Sequence, residues 1–444
     1  YLLLAIPMIL QNAITNLVSF LDNIMVGQLG TEQMSGVAIV NQLIFVYNLA
    51  IFGAVSAASI FGAQYFGKGN HKGHMYSFRF KLYATLLVTG GAILLFLTKG
   101  SALISLYLTD TVGNGATDLA LQYGLEYLAI MMVGLIPFAV NQSYATNIKE
   151  TGQTFIPMLA SFVAVGTNAI LDYLMIFGIG PFPELGVQGA ALATVIARYI
   201  EALIVVIWAH IHRGKNRYLE GAYTGFGIPL AELKAILIKG FPLMMNEVLW
   251  AAGMTTVTQC YSVRGLDVVA GLNIASTITN LFNIVYLQLG SCISIVVGQY
   301  LGAGKLEDAK DADNKMIVFS VFCCVIMAAL MFVVGGFFPG IYNTTEEIRE
   351  LATSFIAVSA IIMPFCAFSH ASYFTLRSGG KTVVTFLFDS VFTWVIVVPA
   401  AYLLAHFTGL GIVSIYFLVQ GTELIKVIIG YLMVKSNVWV VQMV

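Results

Sequence analysis

Hydrophobic residues run along this chain in long blocks, and short polar clusters separate one block from the next. Each block reaches the ~20 residues that a helix needs to cross a hydrocarbon core about 30 Å thick. The blocks cover residues 2–26, 34–65, 82–107, 118–146, 155–178, 187–211, 235–261, 267–300, 316–340, 351–376, 382–405 and 410–434. They predict twelve membrane-crossing helices. Composition agrees with the pattern: 59% of the 444 residues are hydrophobic and 10% charged, against roughly 45–50% and about 25% in soluble domains. The sequence therefore reads as an all-α integral membrane protein. Tyr1 already stands at the edge of an apolar run, so a short native N-terminus is expected ahead of it.

Lysine and arginine favour the cytoplasmic loops of membrane proteins. With both termini placed in the cytoplasm, the inner loops hold fifteen basic residues: Lys68, Lys72, Arg79, Lys81, Lys149, Arg213, Lys215, Arg217, Lys234, Lys239, Lys305, Lys310, Lys315, Arg377 and Lys381. The outer loops hold only Lys99, Arg264 and Arg349. A multi-pass protein of the cell membrane with both termini inside is the expectation. Cys260, Cys292, Cys323, Cys324 and Cys366 all fall in apolar segments without metal or redox spacing, and read as small apolar residues.

The chain also repeats itself. At an offset of 235 residues, Pro7–Asn70 aligns with Pro242–Lys305 without a gap, and twelve of the 64 pairs are identical. Pro7/Pro242, Gln64/Gln299, Tyr65/Tyr300, Gly67/Gly302 and Gly69/Gly304 are among them. Two six-helix halves follow, residues 1–211 and 235–444, joined by a basic cytoplasmic linker at 212–234. Six is even, so the halves enter the membrane in one direction as a parallel repeat, and such repeats hold substrate near their interface.

Charged side chains inside a bilayer cost at least ~2.5–3.5 kcal/mol and mark function by default. On the first helix Asn12, Thr15, Asn16, Ser19, Asp22 and Asn23 fall three and four apart, which makes one wet face. On the fifth, Asn168 and Asp172 share a face, and Asp172 lies ~25 Å along the axis, near the depth of Asp22. Two acids that meet there repel when both are ionised, so the pair suits a proton or a sodium ion. The alternative is an interhelical hydrogen bond and nothing more. In the second half Glu247 and Asp389 each sit ~10 Å above the inner helix end. They could bind a cationic substrate, hold a second coupling ion, or form a structural pair. Arg198 with Glu201, and Glu423 with Lys426, have the three-residue spacing of pairs that satisfy each other or a neighbouring helix. Pro7, at the same repeat position as Pro242, removes a backbone hydrogen bond below Asp22 and is a candidate hinge.

Other chemistry is poorly supported. The nearest approach to a phosphate loop, "RSGGKT", has Thr375 where the leading glycine is needed. No protease, hydrolase or zinc spacing occurs, so neither an enzyme nor a bound cofactor is expected, and a net charge of -1 gives no sign of nucleic-acid binding.

These segments resemble the multidrug and toxic compound extrusion (MATE) family over essentially the whole chain. The resemblance is carried by "IPMILQNAITNLVSFLDNIMVGQLG", "GAQYFGKGN" and "TNAILDYLMIFGIGPFPELGVQGAALATVIARYIE", in order and at matching topology. It implies two six-helix lobes in a V, working as a monomer among membrane lipids, that export amphipathic and mainly cationic compounds in exchange for H+ or Na+. It places Asp22, Asn168 and Asp172 on the cation site of the first lobe, adds Tyr127 and Thr194 to that site, and makes Pro7 the bending point of the first helix. The second lobe departs from the sodium-coupled pattern. Glu247 follows Pro242 by five residues where the family's glutamate follows by about eight, and the tenth helix has no aspartate near Met363 and Phe365. H+ coupling in the first lobe is the preferred expectation. A lipid-linked precursor flippase of the same superfamily is the alternative, and would need a basic cavity. Only Arg198 lies deep in a span, against four acids.

Overall fold

The computed structural model describes residues 2–108, 116–225 and 227–444; the side chains at 2, 18–21, 23, 24 and 116 lie outside the description. The described chain is helical: α1 Leu2–Gly27, α2 Thr31–Lys68, α3 His71–Ser105, α4 Ala116–Val133, α5 Leu135–Glu150, α6 Phe155–Ile176 and α7 Val187–Ile211. After the linker come α8 Leu230–Ser262, α9 Leu266–Gly302, α10 Leu306–Gly335, α11 Glu346–Ser378, α12 Thr382–Phe386, α13 Val398–Phe407, α14 Ile412–Gly421 and α15 Glu423–Lys435. Ten helical stretches among the described residues are long and apolar enough to cross a membrane, or eleven when the bent pair α4–α5 is counted as one. In α1 the described apolar stretch is shorter, Leu3–Leu17.

The expected fourth span is broken, and the sequence gives the reason. Pro137 has no N–H for the carbonyl of Val133, and the chain bends by 44° at Gly134 between α4 and α5. Helix α7 covers the break: the Tyr199 hydroxyl donates to the Val133 carbonyl at 3.5 Å and Arg198 Nη1 to the Gly134 carbonyl at 3.4 Å. Between α12 and α13 the chain runs through two wide π-turns, Leu387–Val391 and Thr393–Val397.

Two compact units make up the fold. One comprises Ile6–Gly62 and His71–Leu233; the other comprises Tyr1–Ala5, Ala63–Asn70 and Lys234–Val444. In the first unit, much of what reads as a basic loop is structure. Helix α3 begins at His71, so Arg79 and Lys81 stand inside it and are buried. The Arg79 guanidinium donates to the carbonyls of Ala222, Gly227 and Gly221 at 2.9, 2.7 and 2.7 Å, which ties the 212–234 segment down. Tyr218 and Leu219 of that segment are buried with Met75, Phe78 and Tyr144. Nearby, Glu150 accepts from Lys81 Nζ at 2.5 Å and lies 3.2 Å from His74 Nε2.

In the second unit the ends of α2 and α9 approach each other closely. A Cβ on Gly67 would lie 2.0 Å from the carbonyl oxygen of Gln299, and one on Gly302 would lie 1.9 Å from that of Gln64. These are equivalent positions of the repeat, and only glycine lets the two backbones meet there. The Gln64 side chain then stitches the unit: Nε2 donates to Ser378 O at 2.9 Å, and Oε1 accepts from Met443 N at 2.8 Å. "RSGGKT" lies under the same tail, with Gly379 against the Trp439 carbonyl, so its glycines serve a backbone crossing.

Gly67→Ala and Gly302→Ala should each lower the melting temperature in detergent, since overpacked cores lose about 1–3 kcal/mol. Gly90→Ala, with nothing within 4 Å of the added Cβ, should leave it equal or higher. Equal melting of all three would remove the close crossing as a determinant of stability.

Candidate functional site

Helix α1 carries polar side chains because of where it stands and what it meets. Asn12 Nδ2 donates to Met8 O at 3.0 Å, Thr15 Oγ1 to Gln11 O at 2.8 Å and Asn16 Nδ2 to Asn12 O at 2.9 Å. The stripe thus folds its donors back onto its own helix, while Thr15 and Asn16 remain exposed. Ser19 and Asn23 lie outside the described side chains. Gln11 reaches across instead, with Nε2 donating to Ser161 Oγ at 2.7 Å, and Ser161 donates to Glu201 Oε1 at 2.5 Å. Glu201 is therefore held by α6, and Arg198 by the broken helix and by the Phe138 ring, 5.2 Å from its guanidinium carbon. The two do not form a mutual hydrogen-bonded pair among the described contacts.

At the other end of α1, Asp22 meets Asp172 of α6 closely enough for their carboxyl groups to interact directly. Asp172 is 1% exposed. Among the described residues no donor reaches Asp22 Oδ1 or the two oxygens of Asp172 within ordinary hydrogen-bond geometry. Such orphan acceptors in a buried place are uncommon and need an explanation. Asn168, one turn before Asp172, is buried and donates from Nδ2 to Thr194 Oγ1 of α7 at 3.4 Å. Tyr127 of α4 is within electrostatic reach of both acids, and its hydroxyl donates to Asn41 Oδ1 of α2 at 3.2 Å. Five side chains named from the sequence thus gather in one unit: Asp22, Asn168, Asp172, Tyr127 and Thr194. Asn41 joins them. Sequence reading missed it because one amide in a long apolar helix has no spacing partner.

The candidates of the other half also gather, with a different chemistry. Asp389 accepts from Lys426 Nζ at 2.6 Å and from Asn246 Nδ2 at 3.0 Å. Ser390 Oγ donates to Asn246 Oδ1 at 2.7 Å, and the Tyr373 hydroxyl lies 3.4 Å from Asn246 Nδ2. Glu247 is half-buried, within electrostatic reach of Arg377 and Asp389. Of the two readings open for Glu423 and Lys426, each other or a neighbouring helix, Lys426 takes the second and bonds Asp389, 37 residues away. His370 Nδ1 lies 2.9 Å from Cys366 O, one turn back in the same helix, and the ring packs on Tyr286.

Chemically, the first unit offers two facing acids with the Asn168 amide beside them; no described donor reaches three of their oxygens in ordinary geometry, and the pair can take up a proton or coordinate a small cation. The second offers an acid that a lysine of the chain already neutralises. Asp172→Asn, which replaces one orphan acid with an isostere able to donate to Asp22, should melt no lower than the unaltered protein at neutral pH. Functional sites commonly give up stability in this way. A drop of more than a few degrees would show that Asp172 has structural partners that this geometry lacks.

The MatE family model matches residues 7–174 and again 242–403. Among curated proteins, a probable multidrug resistance protein NorM of Thermotoga maritima is 23% identical over 413 residues, 93% of this chain and 86% of that one. A protein of the same description from Halalkalibacterium halodurans is 24% identical over 413 residues, covering 93% and 88%. Among solved structures, one described as the outward-facing conformation of a multidrug resistance MATE family transporter of the MOP superfamily superposes with a TM-score of 0.88. It is 20% identical and covers 98% of this chain and 94% of the other. A MATE structure in a bent conformation gives 0.86 at 20% identity, with 98% and 94% coverage.

Proposed function

The chain belongs to the MatE family, and we propose that it is a secondary active antiporter that exports amphipathic, mainly cationic compounds in exchange for H+ or Na+. That it is a multi-pass membrane protein of a multidrug-efflux transporter family, and not an enzyme, rests on both family matches and on the relatives' descriptions. Coupling is our reading, and one observation carries it: Asp22 and Asp172 face each other with three oxygens that no described protein donor serves. A proton or a cation supplies what those oxygens lack. Asn168, Tyr127 and Thr194 line the same place. H+ is the preferred ion.

Twelve spanning helices in two six-helix lobes, with α1 as the first and both termini in the cytoplasm of the cell, complete the proposal. Export then follows by alternating access, in which cation binding at Asp22 and Asp172 favours one state over the other. Pro7 is the proposed hinge. It stands inside α1, cannot donate to the carbonyl four residues back, and follows the boundary between units at Ala5 and Ile6. The flippase alternative is less well supported, because the deep cation Arg198 is already engaged by the Gly134 carbonyl and the Phe138 ring.

The decisive measurement is efflux of a fluorescent lipophilic cation from proteoliposomes under a pure pH gradient and, separately, a pure sodium gradient. One of them should drive export, and Asp22→Asn, folded and inserted, should abolish it. Export by Asp22→Asn at the unaltered rate would remove the coupling role. Pro7→Ala restores a backbone donor and straightens the constraint on α1; it should keep substrate binding while slowing efflux at least severalfold. Unchanged turnover would place the moving part elsewhere.

A further inference from the structure

Two buried lysine–carboxylate pairs occur in the described membrane helices, and they differ in a way that assigns them different work. The first, Lys81 with Glu150, is sealed: the side chains are 0% and 2% exposed, and Asn147 and His74 complete the set. The second, Lys426 with Asp389, is open on one side, at 9% and 15%. Its surroundings are those of a receptor for an ammonium ion. The Lys426 Nζ sits 2.6 Å from Asp389 Oδ1, 5.3 Å from the centre of the Phe388 ring and 6.0 Å from that of Phe392. Aromatic faces within about 6 Å attract a cation through the ring quadrupole.

The receptor is held in shape by groups other than the lysine. Asn246 Nδ2 donates to the second Asp389 oxygen at 3.0 Å, and the amide is itself fixed by Ser390 Oγ at 2.7 Å from its Oδ1. Trp394 Nε1 anchors the same turn region to the Leu249 carbonyl at 2.8 Å. Asp389, Phe388 and Ser390 all lie on the π-turn Leu387–Val391, a wide turn of the kind that recurs at functional sites. Helix α15 supplies the occupant and also packs Ile429, Gly430 and Met433 against the Phe388 side of the site.

We propose that Asp389, Asn246, Phe388 and Phe392 form a binding site for an unbranched primary alkylammonium group, with Lys426 as its tethered resident ligand. The site stands on the C-terminal unit's own geometry; its use in carrying an amine substrate rests on the export reading above. A tethered ligand competes at an effective concentration in the millimolar range, so a free amine enters the unaltered protein only at high concentration.

Lys426→Ala removes the three methylenes and the ammonium that n-propylammonium would replace. The purified variant should melt lower than the unaltered protein and recover several degrees in millimolar n-propylammonium chloride, without a matching response to tetramethylammonium or sodium chloride at equal ionic strength. The unaltered protein, whose own lysine competes for the site, should respond less than Lys426→Ala at that concentration. The double variant Asp389→Asn/Lys426→Ala, which has neither charge, should be recoverable and unresponsive. The proposal is overturned if Lys426→Ala cannot be recovered even with the amine present, if it responds equally to all three salts, or if the double variant responds to the amine as well. Because the assay reads binding without any gradient, its failure is distinct from failure of ion-coupled export.

Discussion

Inside hydrocarbon there is no water to satisfy a polar atom, so every backbone break and every charge has to find its complement within the protein. Much of this fold follows from that one constraint. Pro137 takes a donor out of the α4–α5 helix, and Tyr199 and Arg198 of α7 supply donors to the carbonyls at the break. Glu150 is sunk in its unit with Lys81 and His74 around it. What distinguishes Asp22 and Asp172 is that two acids with such unserved oxygens face each other. On the proposed reading, such oxygens are left for the ion that the site takes up and releases.

The two halves of the repeat answer the same electrostatic problem differently. Each brings an acid from one helix against a second polar helix. In the first half the second helix offers another acid. In the second it offers Asn246, and α15 adds a lysine. One half therefore sets two acids against each other, and the other compensates its acid with a lysine.

How far the sequence could be read follows the range of the interactions. Asp22 and Asp172 were accessible because helical rise alone places both near one depth, and the three-to-four spacing aims Asn168 at the same face. The helix boundaries were accessible wherever apolar runs end at glycine-rich polar clusters. Arg79 and Lys81 were misplaced into a loop because a basic cluster at a span end looks hydrated; their carbonyl and carboxylate partners lie some 70 to 150 residues away and leave no local trace. For Lys426 the sequence left Glu423 and a neighbouring helix both open for the same reason. Spacing finds neighbours on one helix, and the partner here was on another. The break at Gly134 could have been read from Pro137, which forbids an unbroken ladder at that point.

The meeting of Gly67 and Gly302 has a historical implication. Each residue of the pair lies against the backbone at the other repeat's glutamine, so the contact is its own mirror under exchange of the two repeats, as in a two-fold dimer. Four of the twelve identical pairs, Gln64/Gln299, Tyr65/Tyr300, Gly67/Gly302 and Gly69/Gly304, crowd into six residues around it. That is the signature of an ancestor in which one gene made both partners, where a single substitution on the axis struck the interface twice.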